Sequence, residues 1–228
     1  MMSRFFLPYD VYERHKKVAS FIETGQTVVD IGGELGHLSQ FLSGVKVTVA
    51  NLKSGDVIIS EDYLPFDKNS FDIVCSIDVL EHLPTAERKK FIARLTSVAA
   101  KKIILSFPIG TKMHNLQEKK IIRWLKKKGK NVQYLEEHIK YHLPRPEEIK
   151  KLANLGKTQI VYSGNIYINK YLFYFYMFDP QIKFIRQIVY FTKLLINFLS
   201  NPILYAFLSN RKFADTVNRA YLIIEKVS

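Results

Sequence analysis

Residues 28–36, VVDIGGELG, join an apolar run to a cluster of glycines. Gly32 and Gly33 make a tight turn where a ligand can approach the backbone with no Cβ in the way. If Gly36 opens a helix, the free N–H groups of its first turn face the same ligand. Taken alone, such a turn is also a plain strand-to-helix connection. The string EDYLPFDKNSFDIVCSIDVLEHLP (61–84) ends with Asp78, Glu81 and His82 just past a second apolar run. His82 is a candidate general base, which proton transfer from a weak nucleophile would need, or a structural histidine at a helix start. His114 and His138, in a basic stretch, are candidate substrate contacts. Four of the six histidines are scattered, His138 and His142 stand four apart, and there is one cysteine; no metal site is expected.

The elements that must position these residues alternate. Residues 10–24 have the apolar spacing of an amphipathic helix stopped by Gly25. Strands are expected at 27–31, 45–50, 57–59, 71–77 and 103–107, with helices at 35–42 and 84–99. Phe71–Ile77 is an apolar run apart from Asp72 near its start and Ser76, as expected of a strand buried on both faces. This rhythm predicts an α/β fold with a mostly parallel sheet and helices on both faces. After Pro108 it changes. A very basic helix is expected at 115–130, a helix opened by Pro144 and Pro146 that runs to about Leu155 and is ended by Gly156, and strands at 158–163 and 221–224. Between those last strands, residues 168–210 are aromatic and mostly helical, an insert rather than a linker.

Charge divides the chain. Residues 1–109 are neutral, residues 110–160 carry +8 and residues 161–228 carry +5, within a total of +13. Basic surface attracts phosphates on nucleic acid, lipid headgroups or an anionic substrate, or simply solvates helix ends. The longest uncharged run, 194–210, has 17 residues and is broken by Asn197, Asn201 and Pro202. A span needs ~20, so no transmembrane helix is expected. The stretch reads as an amphipathic hairpin that lies on a membrane surface or is buried against the sheet or in a dimer. The single Cys75 excludes an intrachain disulfide framework, and the opening residues lack the apolar core of a signal peptide. The expected location is the cytoplasm, with the inner membrane face as a peripheral variant.

Taken together, the motifs resemble the class I S-adenosylmethionine-dependent methyltransferases. That family carries a D-x-G-x-G-x-G turn after its first strand, then L-P-F, S-F-D and a strand ending in D-V-L-E-H. The matches are Asp30, Gly32 and Gly36; Leu64-Pro65-Phe66; Ser70-Phe71-Asp72; and Asp78 through His82. A weaker match recurs at 138–148, HIKYHLPRPEE. The resemblance implies a single Rossmann-like, doubly wound domain with a seven-stranded sheet and a helical insert before the last strand. It implies S-adenosyl-L-methionine as cofactor, with Asp30, Gly32, Gly33 and Gly36 at the methionine end and Asn51 and Leu52 at the ribose. Glu61 or Asp62, with Leu64, would border the adenine, and Ile77, Asp78 and Val79 would lie near the sulfur. Two positions depart from the pattern: Glu34 replaces the middle glycine, and Asn51 stands where the family has an acidic residue. The inserts at 110–156 and 165–215 would form the acceptor side. Their aromatic and basic character suggests a small-molecule, glycan or lipid-linked acceptor. The rivals are a non-catalytic partner or membrane-docking protein of the same fold, and an RNA methyltransferase.

Overall fold

Val28-Val29 and Ile73-Val74 are fully buried pairs of neighbours whose side chains leave opposite faces of their strands. A strand of this kind must be covered on both sides, and the computed structural model, which describes residues 4–153 and 157–226, covers it so. The strands β1 (Thr27–Ile31), β2 (Lys46–Asn51), β3 (Val57–Ile58), β4 (Phe71–Ile77), β5 (Ala99–Pro108), β6 (Lys157–Ser163) and β7 (Arg219–Glu225) form one sheet. Its order is β3-β2-β1-β4-β5-β7-β6, parallel except that β7 runs antiparallel to both neighbours. The chain winds outward from β1 in one direction and from β4 in the other. The crevice at the C-terminal ends of β1 and β4 is therefore the place where such sheets take ligands.

One face is covered by α2 (Thr85–Val98) and α5 (Pro146–Ala153), through Ile92, Leu95 and Ile149 on Val29, Val74 and Leu105. The other is covered by α1 (Tyr9–Ala19), through Val18 on Val28, Ile73 and Cys75. α1 stops five residues before the expected end. The Ser20 hydroxyl donates to the Lys17 carbonyl at 2.6 Å and diverts the last turn.

The helix expected at 35–42 does not form; a 3-10 turn at Ser39–Phe41 stands in its place. Two causes are visible. Gly36 has φ +82, outside any right-handed helix. The Asn51 amide also donates to the carbonyls of Gly32 (3.2 Å) and Gly33 (2.9 Å), so the His37 N–H bonds Glu34 instead, one residue short of a helical partner. The helix expected at 84–99 forms as α2, with Pro84 as its N-cap next to the first turn. The expected end of the helix from Pro146, at Leu155 and Gly156, lies outside the described residues.

The two inserts meet each other. The first holds α3 (Lys112–Lys127), α4 (Gln133–Tyr141), which the sequence reading did not foresee, and α5; the second holds α6 (Ile166–Met177) and α7 (Lys183–Leu208). Ile121 and Leu125 of α3, Leu135 of α4 and Phe173 and Tyr174 of α6 form a separate apolar cluster, with Trp124 and Tyr174 rings 4.7 Å apart. They roof the C-terminal edge of the sheet.

α7 is 26 residues long and, with mean hydropathy 1.3, is long and apolar enough to cross a membrane. The 17-residue count missed this because it stopped at Lys193, whereas the helix runs through it. The side-chain hydrogen bonds of α7 to the N-terminal segment lie in its C-terminal half. Asn201 donates to the carbonyls of Phe5 and Leu7, and Asn197 to that of Phe6, which straps the C-terminal half of α7 to the domain. Apolar side chains are exposed along the whole helix, from Phe184, Ile188 and Phe191 to Leu199, Ile203 and Phe207.

Candidate functional site

The glycine turn leaves β1 with Asp30 beneath it. Asp30 is fully buried, and neither carboxylate oxygen has a hydrogen-bond partner among the described residues. Burial pushes its pKa up to about 7, and Arg14 only partly offsets that. A Cβ on Gly33 would come 2.1 Å from the Asp30 carboxylate, and one on Gly32 would come 2.3 Å from Val79 at the tip of β4. The turn is thus a close-fitting cradle over an orphan carboxylate. Such an arrangement fits a ligand with a cationic end, as the aminoacyl end of S-adenosyl-L-methionine has.

Asn51 ends β2 beside this cradle. Both of its amide protons brace the turn, so Oδ1 is the atom it has for a ribose hydroxyl. Leu52 is exposed, and Leu64 packs half-buried on the core. Glu61 and Asp62 are exposed, with Asp62 3.7 Å from Arg94. Ile77 is buried in the sheet. Glu34 does not fill the cradle: its side chain is mostly exposed and lies 3.4 Å from His37 Nδ1.

Asp78 takes a left-handed backbone, φ 55, at the end of β4. Its carboxylate is held by Arg14 at 2.9 Å and by two nitrogens of Arg219. Burial would raise its pKa, but Arg219 and Arg14 outweigh that and keep it ionised well below the usual carboxylate range. The side chain expected near the sulfur is therefore committed to an ion-pair network that continues to Asp10 and Glu13.

Past Asp78 a cavity of about 850 Å³ opens under the roof of the two inserts. Ile121, Leu135, Leu172, Phe173 and Met177 make one wall apolar. The opposite end is polar, and here the structure brings together His82, His114 and His138, which are far apart in sequence. His82 Nδ1 lies 2.6 Å from Glu137, and His138 Nδ1 lies 2.8 Å from Glu118. An ionised carboxylate only accepts, so each Nδ1 carries the proton and each Nε2 keeps its lone pair. His114 donates from Nδ1 to the Ile109 carbonyl at 2.7 Å, and burial lowers its pKa. Glu81, 1% exposed, joins the group; burial and then Asp78 push its pKa well up, and its Oε2 has no partner among the described residues.

Sequence reasoning missed Arg14, Arg219, Glu118 and Glu137, and placed Glu81 in the motif without a role. Two signals were available. Arg219 is a charge placed directly before the apolar run Ala220–Ile224, and Asp10 and Arg14 share a helix face at i, i+4 spacing. The glutamates of α3 and α4 carry no such mark.

Comparison with known proteins agrees with this geometry. Residues 30–106 match a family model described as "Methyltransferase domain". A methyltransferase from Archaeoglobus fulgidus that depends on S-adenosylmethionine is similar over 96% of this chain and 94% of its own, with 14% identity and TM-score 0.55. Phosphoethanolamine N-methyltransferase 2 of Haemonchus contortus, in complex with S-adenosyl-L-methionine, is similar over 93% of this chain, with 17% identity and TM-score 0.51. The chain spans about half (51%) of that enzyme's length. The [4+2]-cyclase SpnF has the same fold (12% identity, 94% of this chain and 80% of its own, TM-score 0.52), so the fold alone does not name a reaction. No curated protein sequence matches the chain. The family match runs from the orphan Asp30 through the whole of β4 and most of β5, so residues 30–106 are similar to a methyltransferase domain, and the fold is shared with S-adenosylmethionine-dependent methyltransferases.

Proposed function

We propose that the chain methylates an amphiphilic, lipid-linked acceptor that it takes from an anionic membrane surface. The observation that carries this reading is the position of α6. Its inner side chains, Leu172, Phe173, Tyr176 and Met177, wall the cavity, and the same hairpin continues into the exposed apolar face of α7. α6 and α7 contain Lys170, Lys183, Arg186 and Lys193 and no acidic residue. An apolar helix face with cations and no anions suits interfacial binding to acidic lipid.

S-adenosyl-L-methionine, when bound, supplies an electrophilic methyl group on a sulfonium. The chain's own work is positioning. Asp30 faces the cationic end, the Gly32-Gly33 turn admits the backbone contact, and Asn51 Oδ1 accepts from the ribose. Leu52, Leu64 and the nearby Glu61 and Asp62 border the base. On the other side of Val79 the cavity holds the acceptor with its polar end at His82, His114 and His138 and its apolar part against α3 and α6. Holding both reactants close and aligned, away from water, supplies much of the rate of a methyl transfer.

The test supplies methyl-labelled S-adenosylmethionine, the protein, and lipid, soluble small-molecule or RNA fractions of cells. Label is expected in the organic phase, with turnover rising when anionic vesicles are added. Label confined to water-soluble metabolites or to RNA overturns the acceptor class. Absence of label in every fraction favours the non-catalytic rival.

A further inference from the structure

We propose that Glu81, His82 and His138 bind one divalent metal ion, of the kind that takes imidazole nitrogen and carboxylate oxygen together, at the polar end of the acceptor cavity. The site goes beyond the lipid-acceptor reading and does not depend on it.

One ligand atom from each of the three residues can be chosen so that all lie within 4.8 Å of one another. Metal–ligand bonds of ~2.1 Å at a tetrahedral angle put two ligand atoms about 3.4 Å apart, so closing the site draws a pair of ligand atoms together by up to ~1.4 Å, shared between two side chains. Both histidines are already set up as ligands. Glu137 holds Nδ1 of His82 and Glu118 holds Nδ1 of His138, which leaves both Nε2 lone pairs for the ion. A carboxylate on the far nitrogen is the usual outer support of a metal-bound histidine. The two rings are 5.5 Å apart.

The third ligand supplies the independent evidence. Glu81 is buried, and its Oε2 has no hydrogen-bond donor among the described residues. A buried carboxylate without a donor is costly. The nearby guanidiniums of Arg14 and Arg219 make their ion pairs with Asp78, Asp10 and Glu13. Among the described residues no lysine or arginine pairs with Glu81, Glu118 or Glu137, so a dication at the two imidazoles would have carboxyl oxygens as its partners.

Two imidazoles and one carboxylate leave coordination positions open. Since all three residues line the cavity, those positions suit a hydroxyl, carboxylate or phosphate oxygen of the acceptor. Ligation uses the Nε2 lone pair of His82, so His82 acts on the acceptor through the ion and not as a free base.

The test is a metal titration of the full chain, stripped with chelator, with neither cofactor nor acceptor present. Zn²⁺ is measured by competition with a chromophoric chelator, and Co²⁺ by its visible absorption. A single tight equivalent is expected. His82→Ala, His138→Ala and Glu81→Gln should each weaken it by ~100-fold or more, and Glu118→Gln by ~10-fold, the range for losing an outer support. His37→Ala, outside the cluster, should change nothing. Binding no tighter in the wild type than in His82→Ala, or lost equally in His37→Ala, overturns the site. Glu81 and His138 are buried and their variants could unfold, but His82 is partly exposed, so His82→Ala decides by itself.

Discussion

Arg88 should be the residue whose loss most damages the acceptor end while sparing the cofactor end. It lies on α2, is 1% exposed, and reaches three separate segments. Nε donates to the carbonyls of Leu80 (3.1 Å) and Leu83 (3.2 Å), fixing the turn that carries Glu81 and His82. Nη1 pairs with both oxygens of Glu148 at 2.9 Å, anchoring α5. Nη2 donates to the carbonyls of Tyr141 (3.2 Å) and His142, at the end of the helix that carries His138. Arg88→Met keeps the apolar stem and removes every one of these bonds. Breaking a buried ion pair costs ~3–5 kcal/mol. The Glu148 side chain is 21% exposed and regains some hydration, so the lower end, ~3 kcal/mol, is expected. For a chain of this size that lowers Tm by ~6–12 °C. Urea unfolding measures it. The same variant should raise KM for the acceptor and weaken Zn²⁺ binding, with cofactor affinity within ~2-fold of wild type, a change under ~0.5 kcal/mol. A loss under ~1 kcal/mol, or cofactor binding that falls as far as acceptor binding, refutes the assignment of Arg88 as the clamp of the acceptor side.

Gly32→Ala places a Cβ 2.3 Å from Val79 at φ +83. It should destabilise the fold by ~2 kcal/mol, from the left-handed backbone cost with the clash added, and abolish cofactor binding, both readable by calorimetry. Asp30 has its folded pKa raised to about 7, so the fold prefers its protonated form. Its contribution to stability is fully present near pH 4 and is lost as pH rises towards 7, with a slope of at most ~1.4 kcal/mol per unit. Asp30→Asn should flatten that limb in pH-dependent unfolding and stabilise the cofactor-free protein at pH 8 while weakening cofactor binding; an unchanged slope would show that the carboxylate is not the group titrating. Tyr176 accepts from the Tyr9 N–H at 3.3 Å and donates to Asn197 on α7. Tyr176→Phe should lower vesicle stimulation of turnover and leave vesicle binding, scored by co-sedimentation, unchanged.

The sheet was legible because its signals are local. Runs such as Phe71–Ile77 admit one environment, and β1 and β4 begin and end where periodicity puts them. The 35–42 error shows what locality omits. Leu35, Leu38 and Leu42 have helical spacing, but Asn51, from the next strand, occupies the carbonyls a helix would need. α4 was invisible for a related reason. A nine-residue helix is marginal by itself, and it stands because Leu135 packs on Ile121 and Leu125. The glycine cradle could be read from its motif. The histidine group could not, since residues 82, 114 and 138 converge only once α3 and α4 have folded over the tip of β4.

The polar end of the cavity is built on the rigid C-terminal edge of the sheet, through Asp78, Glu81 and His82, and on the inserts, through Glu118, Glu137 and His138. The inserts in turn share one apolar cluster with α6. Lys193 of α7 donates to the carbonyls of Tyr176 and Phe178, so the exposed helix is tied by hydrogen bonds to the wall of the cavity. A force on α7 from a lipid surface is therefore passed to α6 and through it to α3 and α4. Those helices carry Glu118, Glu137 and His138. The cradle at Asp30 is built from the ends of β1, β2 and β4, apart from α3, α4 and α6. On the proposed function the donor half stays fixed while the acceptor half answers to the surface under α7, so perturbations of the two halves should divide between cofactor affinity and acceptor KM.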